Sequence, residues 1–168
     1  MTVISVDRDT ENLTMTFVAE FTAPPERVWQ VWQDPRQLER WWGPPTWPAT
    51  FDEHNLRVGA RSAYYMTGPQ GEKAHGWWTI TLVEPPSRLE FDDGFSDDDG
   101  SPSEGMPVTR TEVILESVEL GVRGVGTRMT TVSRFASIDE LERLVQMGME
   151  EGMRLALGQI DDLLEAVR

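Results

Sequence analysis

The chain predicts an α+β fold in which a curved antiparallel β-sheet wraps around a long C-terminal α-helix, with two short helices after the first strand. Three observations carry this. Apolar and polar residues alternate from Leu13 to Phe21 and again from Trp47 onward, the periodicity of half-buried strands. Gly59, Gly68, Gly71, Pro85-Pro86, Gly121 and Gly124 cut the second stretch into roughly six strands joined by consecutive hairpins. Finally, Ile138 to Val167 contains no proline and repeats apolar residues at helical spacing.

Each element follows from local chemistry. Leu13, Met15, Phe17 and Ala19 share one face of the first strand, which ends at the breaker Ala23-Pro24-Pro25-Glu26. Proline in a first helical turn with an early carboxylate starts a helix, and Val28, Trp29, Val31 and Trp32 follow at its spacing. Asp34-Pro35 stops that helix and opens a shorter one over Arg36 to Trp41. Beyond it, Trp41-Trp42-Gly43-Pro44-Pro45 sets two large indoles in a glycine-proline turn, a rim around something apolar or a plug in the core. In the sheet, Ser62, Tyr64 and Met66 form one alternating set and Trp78, Ile80 and Leu82 another; Val113 with Leu115, and Met129 with Thr131, continue it, making one sheet face apolar. The last helix places Leu141, Val145, Met149, Met153, Leu157, Ile160 and Leu164 on one stripe, with Ser137 as N-cap and Glu140 completing a capping box. At about 1.5 Å per residue it would run roughly 45 Å.

Length and charge bound the function. A chain of 168 residues is one domain's worth, read as a polar tail over 1–12 and a single domain over 13–168. With no cysteine, neither a disulfide framework nor a thiol nucleophile is available. Met1 to Asn12 carries Asp7, Asp9 and Glu11 rather than a leader's basic-then-apolar pattern, and nowhere do about 18 apolar residues run together, so the expectation is a cytoplasmic protein. A net charge of −14 repels phosphate backbones and anionic headgroups, which excludes nucleic acid and membrane surfaces as partners. Part of that charge is local: Asp92 to Glu104 holds Asp92, Asp93, Asp97, Asp98, Asp99 and Glu104 with no basic residue, the composition of a mobile, solvated loop.

The motifs together resemble the helix-grip superfamily of START-like (SRPBCC, Bet v 1-like) proteins, in the branch of homologues of the activator of the heat-shock protein 90 ATPase. Phe21-Thr22-Ala23-Pro24-Pro25-Glu26-Arg27-Val28-Trp29 and Trp41-Trp42-Gly43-Pro44 carry the likeness, as do Leu56-Arg57-Val58-Gly59, Pro85-Pro86-Ser87-Arg88-Leu89 with Phe91, and Gly126-Thr127-Arg128-Met129. Gly152-Met153 with Leu157, Ile160, Leu163 and Leu164 closes it. The chain departs from that pattern at Gly59-Ala60 where a glycine pair is usual, at Met153 where an aromatic is usual, near Leu82 where an acid is usual, and in a longer 92–106 loop. Such a resemblance implies co-chaperone domains, aromatic polyketide cyclases and hydrophobic-ligand binders alike.

The residues leave three readings open. The first is a binder of a small apolar, aromatic or polycyclic molecule between sheet and helix, lined by Trp42, Phe51, Tyr64, Met66, Trp78, Ile80, Met129, Met149 and Met153. Unbranched methionines at 147, 149 and 153 let such a lining adapt, and Gly148 and Gly152 leave room beside it. The second is a co-chaperone-like protein-binding module, steered by the acidic loop toward a basic partner. The third is a cyclase-like enzyme in which His75 and Tyr64 converge on one cavity, one moving a proton and the other holding a ligand carbonyl. Neither cofactor nor metal is expected: His54 has no second histidine at ligand spacing, and Asp97-Asp98-Asp99-Gly100 lacks the spacing of a calcium loop. Gly121-Val122-Arg123-Gly124-Val125-Gly126 has its glycines in the wrong order for a dinucleotide loop and reads as a hairpin, Arg128 reads as an outward ion-pair residue, and a homodimer is compatible with the fold.

Overall fold

A computed structural model describes residues 3–166, with side chains over 5–165. Eight antiparallel strands form one curved sheet: β1 (Val3–Asp9), β2 (Thr14–Phe21), β3 (Ala49–Glu53), β4 (Arg61–Thr67), β5 (Lys73–Glu84), β6 (Arg88–Ser96), β7 (Thr109–Glu119) and β8 (Val125–Arg134), in the order β1-β2-β8-β7-β6-β5-β4-β3. Helices α1 (Pro25–Gln33) and α2 (Pro35–Leu38) follow β2, and α3 (Ile138–Gln146), α4 (Met149–Gly158) and α5 (Ile160–Ala166) close the chain against the concave face. The α+β helix-grip architecture expected from the periodicities is therefore the one the chain adopts.

Three boundaries differ from the sequence expectation. Residues 3–9 of the supposed tail form β1, paired with β2 from Val3 opposite Ala19 to Asp9 opposite Thr14. An edge strand needs backbone partners rather than apolar side chains, and charged residues on it block further pairing; Met1 and Thr2 lie outside the described residues. The acidic loop starts later than its composition suggests, because Asp92 to Ser96 belong to β6. The segment after β6 is hydrogen-bonded rather than loose: Asp97 N–H donates to Ser101 O at 2.8 Å and the Ser103 hydroxyl to an Asp97 carboxylate oxygen at 2.7 Å. The second short helix ends at Leu38, leaving Trp41 in the turn beyond it.

The C-terminal helix is broken. Gly148 takes φ +91°, a left-handed conformation that terminates α3 and opens α4 at a new angle. The helical spacing continues across the break, which is why periodicity alone reads one helix; Val167, its expected end, lies outside the described residues. Ser137 caps α3 as expected, its hydroxyl accepting from Glu140 N–H at 3.2 Å.

The core fills the concave face. Trp32 and Trp41 meet edge-on with ring centroids 4.7 Å apart, Trp42 and Trp78 at 4.9 Å, and Trp78 stacks on Phe91 at 3.9 Å. His54 is buried beside this cluster, its Nε2 2.8 Å from Trp32 O and its Nδ1 2.7 Å from Ser62 Oγ. A carbonyl only accepts, so Nε2 carries the proton and Nδ1 accepts from Ser62. On the outer face Arg128 pairs with Glu20 at 3.0 Å, as its position in the alternation implies.

Two measurements test these assignments. A Cβ on Gly148 meets open space but a left-handed backbone, whereas Gly152, also in open space, sits within α4. Gly148→Ala is expected to lower stability by about 1–2 kcal/mol, and Gly152→Ala to raise it by about 0.5–1 kcal/mol, both read as shifts in urea midpoint. Burial holds the His54 imidazole below its ordinary 6.5, more than its bond to Trp32 raises it. The unfolded chain then takes up a proton that the folded one refuses, so this contribution to stability is lost as pH falls through about 6.5. The stability advantage of the wild type over His54→Gln is expected to shrink between about pH 7 and pH 5.

Candidate functional site

The aromatic cluster stops short of one end of the sheet, and a cleft of about 490 Å³, partly open to solvent, remains between the sheet and α3–α4. Its two sides differ in chemistry. Trp42, Trp47 and Pro44 from the tryptophan turn, Met66 from β4, Leu144 from α3, Met147 from the turn after it, and Met149 and Met153 from α4 make an apolar wall. The sheet contributes a polar floor: Tyr64 from β4, Asp93 from β6, Thr109 and Thr111 from β7, and Ser133 from β8. This floor arises because the inward faces change character along single strands. On β7, Leu115 and Val113 are buried in the dry core while Thr111 and Thr109 reach the cleft; on β6, Leu89 and Phe91 give way to Asp93.

Register brings the polar groups together. Asp93 lies opposite Thr109, and Thr111 opposite Ser133, across neighbouring pairs of strands. Tyr64 lies opposite Gly76, where an added Cβ would come within 2.3 Å of the phenol ring. That missing side chain lets the ring lie across β5, so that its hydroxyl donates to Asp93 Oδ1 on β6 at 2.9 Å. Burial pushes the Asp93 carboxyl up from 3.8 to about 7, outweighing the Tyr64 hydrogen bond, which acts the other way. Burial also raises the Tyr64 phenol well above 10, and the neighbouring Asp93 charge adds to that. The Trp42 indole N–H lies close enough to the phenol oxygen to oppose this rise, without the geometry of a hydrogen bond. Asp93 is thus a carboxyl that changes charge near neutrality, while Tyr64 remains a protonated donor.

Of the residues expected to line a cavity, Trp42, Tyr64, Met66, Met149 and Met153 do so. Phe51, Trp78, Ile80 and Met129 do not: all are buried in the dry core, where Phe51 stacks on Tyr64 at 5.0 Å and Met129 Sδ accepts from Trp32 Nε1 at 3.3 Å. They sit on the expected face but too far along their strands. The tryptophan turn is both of the things its sequence allows, since Trp41 is wholly core while Trp42 has one edge in the core and another at the cleft.

His75 and Tyr64 do not converge. His75 lies opposite Tyr65 in the β4–β5 ladder, one residue out of step with Tyr64, which puts it on the outer face of the sheet. There its ring is 5.6 Å from that of Tyr65 and its Nε2 is 3.8 Å from Asp98. Asp93 is the residue that composition concealed, because it stands among acids read as a loop. Extending the alternation Leu89, Phe91 by one step assigns it to the inward face.

The family model described as "Activator of Hsp90 ATPase homolog 1-like protein" matches residues 22–165. No curated protein matches the chain. A solution structure of a protein from Arthrobacter aurescens is 55% identical, covers 98% of this chain and 93% of its own, and superposes with a TM-score of 0.91. A crystal structure of a protein from Mycobacterium smegmatis is 44% identical over 99% of each chain, with a TM-score of 0.88. A Staphylococcus epidermidis protein, 23% identical over 97% of this chain and 94% of its own, shares the fold with a TM-score of 0.81.

The raised Asp93 value has a thermodynamic signature. The folded chain keeps a proton up to about pH 7 that the unfolded chain gives up near 3.8, so the cost of burying the carboxylate is absent below the lower value and complete above the upper one. Asp93→Asn retains an oxygen for Tyr64 and removes the charge. It is expected to be more stable than the wild type at about pH 8, with the advantage gone by about pH 4, in denaturation curves taken at both.

Proposed function

On the premise that the chain belongs to the family of activator of Hsp90 ATPase homolog 1-like proteins, an SRPBCC-type family, we propose that it binds a small apolar molecule, aromatic or polycyclic, in the cleft between the sheet and α3–α4. The cleft itself carries this reading. At about 490 Å³ it lies within the roughly 300–1,000 Å³ of small-molecule sites, and it combines an apolar wall with a few convergent polar groups. Binding is desolvation of the ligand's apolar surface against Trp42, Met66, Met149 and Met153, at about 25 cal/mol per Å². The methionine side chains re-rotamerise to fit different outlines, and Tyr64 orients one polar group of the guest.

The geometry gives less support to the two alternatives. A co-chaperone-like contact calls for a continuous exposed apolar patch, whereas among the described residues the exposed large apolar side chains are Val58, Val108, Val122, Val125, Ile138, Met147 and Leu155, of which Val122 and Val125 share one turn and the others stand on different segments. A cyclase-like reaction built on His75 and Tyr64 needs both in one cavity, and they face opposite sides of the sheet.

Gly152 lines the cleft and has open space where its Cβ would be, so a large side chain there fills the site without displacing core atoms. Native mass spectrometry of the protein with a mixed library of aromatic and lipidic molecules is expected to show a discrete one-to-one adduct. Gly152→Phe, with its circular dichroism unchanged, is expected to weaken that adduct tenfold or more. A bare wild-type protein across the library, or an adduct indifferent to Gly152→Phe, overturns the reading.

A further inference from the structure

We infer that the cleft selects cations: its ligand is an apolar, aromatic or polycyclic body carrying a protonated amine, which the Asp93 carboxylate receives. This deepens the proposed function and rests on it.

Several carboxylates on the outer face of the sheet have cationic partners. Asp92 pairs with Arg110 at 3.2 Å, Glu20 with Arg128 at 3.0 Å, and Glu112 with Arg88 at 2.6 Å and Arg134 at 3.6 Å. Asp93, next to Asp92 in sequence, faces the other way and has no such partner among the described residues. No arginine, lysine or histidine of those residues lines the cleft, and no cationic group acts on the Asp93 carboxyl. The titratable groups facing the cleft are Tyr64 from β4 and Asp93 from β6; the lining from β5, β7, β8, α3, α4 and the tryptophan turn adds none.

An unpaired carboxylate beside apolar side chains is unfavourable, and a cation that enters relieves it. Oδ1 already accepts from Tyr64, and Oδ2 accepts from no described residue, which leaves free acceptor capacity on a carboxyl that lines the cleft. An ammonium has three N–H donors: one meets Oδ2, and the hydroxyls of Thr109 and Thr111, pure acceptors toward a cation, lie along the same floor for the others. A fatty acid or an aromatic acid would bring a second anion to Asp93 with nothing to neutralise it. The net charge of −14 works in the same direction at longer range.

The test uses three probes of one shape: naphthylmethylamine, naphthylmethanol and naphthoic acid. They are titrated calorimetrically at about pH 8, where Asp93 is ionised and the amine protonated, in about 0.15 M salt to screen surface charge. The amine is expected to bind at least tenfold more tightly than the alcohol, with the acid weakest. Asp93→Asn, with its circular dichroism unchanged, is expected to bring amine and alcohol to equal affinity, and Asp92→Asn, on the outer face, is expected to leave the preference intact. Equal binding of all three probes, or a preference that survives Asp93→Asn, overturns the inference and leaves the apolar cleft standing. Absence of binding by every probe overturns both.

Discussion

The edge-on contact of Trp42 with Trp78, ring centroids 4.9 Å apart, sets where the dry core ends and the cleft begins. Trp78 is held from behind by Phe91, stacked at 3.9 Å, and Trp32 and Trp41 close the space toward α1. Large rigid rings in edge and stacked geometries fill volume densely with little rotamer freedom to lose. The turn that carries Trp42 is in turn tied to the C-terminal helices, since Gln159 Nε2 donates to Gly43 O at 2.7 Å. The same residue therefore finishes the core on one edge and forms the wall of the cleft on the other.

Past that boundary the sheet no longer needs to be apolar. Hydroxyls replace aliphatic side chains on the inward faces of β7 and β8, and a carboxyl does so on β6. Asp93 is a departure from the pattern that otherwise specifies the fold, and such departures concentrate where stability is traded for function. Its proton affinity is set by burial, while its direction is set by Tyr64, whose ring reaches across β5 because Gly76 offers no side chain to obstruct it.

The helical side has a matching device. Gly148 turns the chain between α3 and α4 and Met147, Met149 and Met153 all reach the cleft around that break, whereas a straight helix would point Met147 about 200° away from Met149. Flexible thioethers opposite a fixed polar floor give a site whose polar contacts are directional and whose apolar wall is adaptable.

The elements and their faces were legible in the order of residues alone. Period two assigned β2 and β4 to β8, proline at the first helical turn placed α1, and the same alternation sent Arg128 outward and Tyr64 inward. These are local properties, carried by backbone geometry over a few residues. They also brought Trp42, Tyr64, Met66, Met149 and Met153 to the right side of the sheet. How far along each strand the core extends is a matter of packing between distant segments. Phe51, Trp78, Ile80 and Met129 share the inward face yet lie under the aromatic cluster, and no periodicity distinguishes them from the residues at the open end. The β1 strand, the bend at Gly148 and the proton affinity of Asp93 were hidden for a related reason. Each depends on what a distant segment places alongside: backbone donors from β2, space beside the sheet, and the apolar surroundings that turn an ordinary acid into one that titrates near neutrality.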